Sequence, residues 1–210
     1  MNTKELIRKE ALKQFSQKGF AGTSMSDIAK PLGISKAALY KHFESKQQIF
    51  DEIIAESQIK YKEFLAGLAV HFTDSAEKSM DKKDVDVYSS ISAQGLCDSV
   101  LAFVRYSMKD PYSKQVRHML TISQFESRQL GEMYTQRYVS AMLGYDEKLF
   151  EQLMKAKAIK RGDPKHLALM FYAPVIMYMG IWDREPKKAK ECEEAIKDHI
   201  ERFYDMTKSV

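Results

Sequence analysis

The residues best suited to chemistry with a partner lie between 36 and 46, in the run KAALYKHFESK. At helical spacing Leu39 and Phe43 are four apart and share an inward face, which turns Lys36, Ala37, Tyr40 and Lys41 outward. An ammonium such as Lys36 can donate to the O6/N7 edge of guanine. A methyl such as Ala37 can pack on the thymine methyl, and a phenol such as Tyr40 can reach a methyl or a phosphate. Upstream, Thr23 and Ser24 open a short helix whose hydroxyls, amides and dipole can hold a further phosphate. Taken singly, Lys36 and Lys41 are ordinary solvated lysines and His42 is a partly buried packing histidine. The local architecture gives them joint meaning.

That architecture begins with a helix over Thr3–Lys18, capped by Asn2 or Thr3, with Ile7, Ala11 and Phe15 on one face and Gly19 as its stop. Ser24-Met25-Ser26-Asp27 forms a capping box worth about 1 kcal/mol. Ile28, Ala29 and Leu32 line the buried side of this second helix, Gly33 supplies the turn, and Ser35 caps a third helix over Lys36–Phe43. Two short helices joined by a glycine-containing turn make a helix-turn-helix, whose second helix enters the major groove. Pro31 removes an amide donor and crowds the Asp27 carbonyl, so the second helix is expected to tighten or end there. Ser45 to Gln48 forms another capping box, opening a long helix with apolar residues out to Leu68.

The run from Ala11 to Phe50, AxxxFxxxGFAGTSMSDIAKPLGISKAALYKHFESKQQIF, resembles the DNA-binding domain of the TetR family. Phe15, Gly19-Phe20, Thr23-Ser24, Ile28-Ala29, Gly33-Ile34-Ser35, Leu39-Tyr40, His42-Phe43 and Ser45-Lys46 fall at the family's spacing, and Pro31 departs from it. The resemblance implies an all-α fold of about nine helices. A three-helix helix-turn-helix domain would span 1–46, and a helical ligand-binding and dimerisation domain 47–210. It makes Ser35, Lys36, Ala37, Tyr40 and Lys41 part of the DNA-reading surface and His42 and Lys46 phosphate contacts. The function implied is a homodimeric, ligand-responsive repressor released from palindromic operator DNA by a small lipophilic or aromatic effector. The alternative is a DNA-binding protein of the same fold without an effector, acting structurally or through a protein partner.

Bulk properties agree. Residues 1–48 carry nine Lys/Arg against four Asp/Glu, whereas the remainder carries 24 against 25, so a polyanion suits the first segment only. Gly and Pro are few and apolar residues recur at helical spacing, which reads as all-α. The start is charged and no apolar run reaches about 18 residues, so a cytoplasmic protein without a membrane partner is expected. Cys97 and Cys192 form no CxxC pair and are expected as reduced core residues. HExxH, GxSxG and a glycine-rich phosphate loop are missing, and the five histidines lack ligand spacing. No catalysis, metal or cofactor is expected.

In the body, the stretch from Thr73 to Ser90 reads as a loop and the likeliest disordered piece. Helices follow to Asp110-Pro111, over Val116–Ile122, Ser127–Leu143 and Asp146–Ile159, and then from the Gly162-Asp163-Pro164 junction to Trp182 with a kink at Pro174. An amphipathic last helix comes after Pro186. The family places an effector between the middle helices. This makes Phe103, Tyr106, Met119, Phe125, Met133, Tyr134, Tyr138, Phe171, Tyr172 and Trp182 candidate lining, with Asp98, Glu126 or Glu132 as partners for a cation. The family's dimer of last helices makes Val175, Met179, Ile196, Ile200 and Phe203 the candidate interface.

Overall fold

The computed structural model describes residues 2–66 and 82–209, the side chains of 82–84 excepted. They form α1 (Thr3–Lys18), α2 (Met25–Ala29), α3 (Lys36–Tyr40), α4 (Lys46–Ala66), α5 (Lys82–Ser90), α6 (Ala93–Lys109), α7 (Pro111–Ser123), α8 (Arg128–Thr135), α9 (Ala141–Lys155), α10 (Pro164–Arg184) and α11 (Ala189–Thr207). The fold class is all-α. Among the described residues the one β feature is an isolated bridge between Ile159 and Lys208. Eleven α-helical segments stand where about nine are expected, and one of them, α5, falls in the stretch expected as a loop. Its Tyr88 is buried and α5 packs on α9, so tertiary contact supports a helix too short to stand alone. Residues 73–81 of that stretch, and Leu68, lie outside the described residues.

The helices group into two compact units. The first comprises the described residues of Met1–Glu63 with Lys109–Gln136, the second those of Phe64–Met108 with Arg137–Val210. In the first, α1 packs along α7, and Ile7, Phe15, Ile28, Leu39, Phe43 and Phe50 are fully buried or nearly so. Glu52 of α4 takes Lys4 at 2.7 Å and Arg8 at 3.0 Å, pinning α1 to α4. In the second, α10 packs between α9 and α11, with the rings of Phe150, Phe171 and Phe203 clustered 5.1 to 5.7 Å apart.

Local signals explain most boundaries. Asn2 completes a capping box with Glu5, and Asp110 and Asp163 each cap a helix whose first residue is a proline. The Asp110-Pro111 stop is therefore also a start, and α7 begins five residues before the expected Val116. Gly144 does not end a helix. The backbone stays helical from Arg128 through a π turn at Gln136–Ser140 to Lys155, because Tyr145, Leu149, Phe150 and Leu153 gain burial that outweighs the roughly 1 kcal/mol cost of an internal glycine. Asp146 consequently sits inside α9 rather than at a helix start. α10 continues through Pro174, whose ring leaves the Met170 carbonyl without its intrahelical donor.

Candidate nucleic-acid interface

Ser24 and Asp27 form the expected reciprocal cap of α2, with Ser24 Oγ accepting from Asp27 N at 3.1 Å and Asp27 Oδ2 accepting from Ser24 N at 2.8 Å. The Ser24 hydroxyl also donates to Asp27, and these bonds hold the Asp27 carboxyl below its ordinary pKa. After Ala29 the helix tightens into a 3-10 turn at Lys30–Leu32, where Pro31 needs no intrahelical donor. Gly33, at φ 65°, then adopts the left-handed conformation that reverses the chain. Ser35 caps α3 through Ala38 N at 3.0 Å. Leu39 and Phe43 are buried, and Lys36, Ala37, Tyr40, Lys41 and His42 are exposed. The helix is shorter than expected, ending at Tyr40 with Lys41 as cap, but the outward quartet keeps one face.

Two expected phosphate contacts face inward instead. Thr23 is 1% exposed and its hydroxyl donates to the Gly19 carbonyl at 2.9 Å, so it has no surface to offer a phosphate. Half-buried Lys46 donates to the carbonyls of Phe20 at 2.5 Å and Thr23 at 2.7 Å, with its ammonium 4.3 Å from the Phe20 ring centroid. Burial lowers its pKa, opposed by the Glu126 carboxylate. The hydroxyl of Thr23 and two of the three donors of Lys46 are committed to shaping the loop between α1 and α2. The same loop is clasped from the α7–α8 turn. Ser123 Oγ accepts from Phe20 N at 2.9 Å, and Glu126 Oε2 accepts from Ala21 N at 2.8 Å. Gly19, at φ 76°, is required there twice over, because a Cβ would collide with Glu126 Oε1.

Residues 7–53, which contain α2, α3 and the loop before them, match the family model described as bacterial regulatory proteins, tetR family. Residues 7–53 thus carry a DNA-binding domain of the TetR type. It is 25% identical over 191 residues to the uncharacterised HTH-type transcriptional regulator YhgD of Bacillus subtilis, covering 88% of this chain and 86% of that one. It is 45% identical over 51 residues to IcaR of Staphylococcus aureus, the negative transcriptional regulator of the biofilm operon icaADBC. That match spans 24% of this chain and about a quarter, 27%, of IcaR. In fold it resembles the SmeT–triclosan complex, at TM-score 0.66 and 19% identity over 99% of this chain and 92% of that one. SmeT is described as the repressor of the Stenotrophomonas maltophilia efflux pump SmeDEF. These similarities support a DNA-binding transcriptional regulator rather than an enzyme.

Two small cavities lie among the described residues of the second unit. One of about 40 Å³ is lined by residues that include Tyr88, Asp146, Phe150, Phe171, Phe203 and Lys208. A second of about 20 Å³ lies among Val100, Phe103, Met142, Asp146, Phe171, Tyr172 and Val175. Of the ten candidate lining residues, Phe103, Phe171 and Tyr172 reach these cavities. Tyr106 stacks on Phe64 with centroids 4.0 Å apart, Tyr138 gives its carbonyl to the Tyr172 hydroxyl at 2.7 Å, and Trp182 is buried off both walls. Met119 belongs to the core of the first unit, with Met133 and Tyr134 on α8 of that unit, and Phe125 is 89% exposed on the α7–α8 turn. The candidate acids are engaged elsewhere: Glu126 on the loop, Glu132 with Arg128 at 2.7 Å, and Asp98 with Gln94 at 2.8 Å. Asp146 was missed, because a lone acid beside a glycine on a polar-looking stretch carries no sequence sign of burial.

The five candidate dimer residues are corrected by the same measure. Val175, Met179, Ile196, Ile200 and Phe203 are all buried by their own chain, and Val175 and Phe203 line the cavities. A side chain already removed from water has no area left for a partner. On α10 the exposed stripe is His166, Leu169, Ala173 and Met177, with Leu169 at 51% and Met177 at 53% exposure. Met206 is similarly uncovered on α11.

Proposed function

We propose that the protein is a cytoplasmic homodimeric repressor, with residues 1–46 holding palindromic operator DNA and residues 47–210 holding the effector site and the dimer contacts. The observation that carries this reading is the outward face of α3. Lys36, Ala37, Tyr40 and Lys41 are exposed together over a buried Leu39 and Phe43, so a rigid anchor presents two cations, a methyl and a phenol to the groove. Ser24, Ser35 and His42, exposed beside them, supply backbone contacts that position without specifying. A second copy follows from the stripe of Leu169, Ala173 and Met177, since two readers on one duplex multiply a modest single-site affinity.

Release follows from chain continuity. An effector entering beside α9 displaces helical backbone that runs on through the π turn into α8, and so to the turn whose Ser123 and Glu126 clasp the Phe20-Ala21 amides. A π turn is a frequent place for such motion. IcaR's description as a negative regulator and the triclosan complex of SmeT favour this mode of action. The cavities' volume, space for a few waters, favours the alternative in which no effector is bound. Selection of a bound duplex from random sequences, then fluorescence anisotropy on that duplex, tests both. We expect a palindromic site and a loss of affinity when a compound that binds the protein is added; a bound compound that leaves operator affinity unchanged overturns the sensor reading.

A further inference from the structure

We propose that Asp146 anchors the effector and that the effector is a lipophilic cation, placing an ammonium on this carboxylate and its apolar body among Phe150, Phe171 and Phe203. The inference rests on the effector-site reading above. Asp146 is 2% exposed and lines both cavities, and its Oδ2 has no hydrogen-bond partner among the described residues. An orphaned carboxyl oxygen in an apolar wall is costly to a fold, and a bound donor removes the cost. Three clustered rings beside it offer faces that attract a cation as well as an apolar body. Lys208, the other charged side chain on the larger cavity, is held by the Ser89 carbonyl at 3.0 Å and lies 5.3 Å from the Tyr204 ring centroid. Phe171 belongs to both walls, and seating a small aromatic amine requires its ring to move aside, because cavities of about 40 and 20 Å³ hold only a few waters.

Burial without a compensating charge pushes the Asp146 carboxyl well above the ordinary carboxylate range, so the empty site favours the neutral acid. The titratable groups facing it are Tyr88 from α5, Tyr172 from α10, and Tyr204 and Lys208 from α11 and its end; the α6 residues at these walls, Leu96, Val100 and Phe103, do not titrate. An ammonium seated on Asp146 favours the carboxylate, so its binding forms an ion pair and releases to solvent whatever proton the empty site holds.

The test uses the full chain with 2-phenylethylamine, 2-phenylethanol and 3-phenylpropionate, titrated calorimetrically in two buffers of different ionisation enthalpy. The expected result is that the amine binds about tenfold or more tighter than the alcohol or the acid, with net proton release on amine binding. Asp146→Asn then abolishes both the preference and the release while still unfolding cooperatively. Equal binding of the three, full amine affinity in Asp146→Asn, or no binding of the amine at millimolar concentration overturns the assignment. Operator affinity measured alongside separates the two readings. Amine binding that leaves the duplex bound supports the cation site and overturns the sensor, whereas the alcohol or acid releasing the duplex with no amine preference supports the sensor and overturns the cation site.

Discussion

Asp146 also makes the stability of the second unit depend on pH in an unusual direction. Its carboxyl titrates near 4 in the unfolded chain and well above that in the folded one, because burial without a compensating charge disfavours the anion. Between those two pKa values the folded state binds more protons than the unfolded state, so stability is complete below about pH 4 and falls by about 1.4 kcal/mol per pH unit until the folded pKa is passed. Asp146→Asn keeps the shape and removes the titration, at a cost of about 1–3 kcal/mol if the new amide lacks a partner. The variant should therefore be the less stable near pH 4 and gain on the wild type as pH rises above it. Urea unfolding followed by Trp182, the single tryptophan and a member of the same unit, reads this directly. His118, whose pKa burial lowers, and Asp27 and Glu52, whose carboxyls are held down by bonds, titrate alike in both proteins and cancel in the difference. A stability difference that stays constant from pH 4 to pH 8 would refute the reasoning.

At the DNA face, Tyr40→Ala should relax sequence preference, whereas Lys41→Ala should weaken all duplexes alike and lower the slope of log K against log salt by about one, as read by anisotropy over a salt series. Lys46→Met keeps the stem over Phe20 but loses the bonds to the Phe20 and Thr23 carbonyls, so we expect about 1–3 kcal/mol of destabilisation with the salt slope unchanged. Unchanged stability with a slope reduced by one would return Lys46 to the phosphates. Leu169→Lys combined with Met177→Lys should yield a folded monomer by light scattering, while Ile196→Lys, at a position with no exposure, should fail to fold; a dimer surviving the double change places the interface elsewhere.

What was legible in the sequence is what short-range chemistry decides. Ser24 with Asp27, Ser35, Gly33 and Asp163-Pro164 each fix a helix end through groups within three or four residues, so their spacing alone located α2, α3 and α10. The outward quartet on α3 was legible for the same reason, since Leu39 and Phe43 define its inward side. Thr23 and Lys46 were not, because their partners are carbonyls of a loop whose path depends on Ser123 and Glu126, about 100 residues from Thr23 and about 80 from Lys46 in sequence. Periodicity also shows that a helix has an apolar face without saying which chain covers it. On α10 the richer stripe, Val175 and Met179, is taken by the protomer itself, and the sparser one through Leu169 and Met177 is left outside. A buried acid is the hardest feature to anticipate, because acids on helices are nearly always solvated. Asp146 is buried only because the helix fails to break at Gly144, carrying its carboxyl into a wall built by α5, α6, α10 and α11. The feature that makes this cavity chemically selective thus arises where the local rule for ending a helix is overridden by tertiary packing.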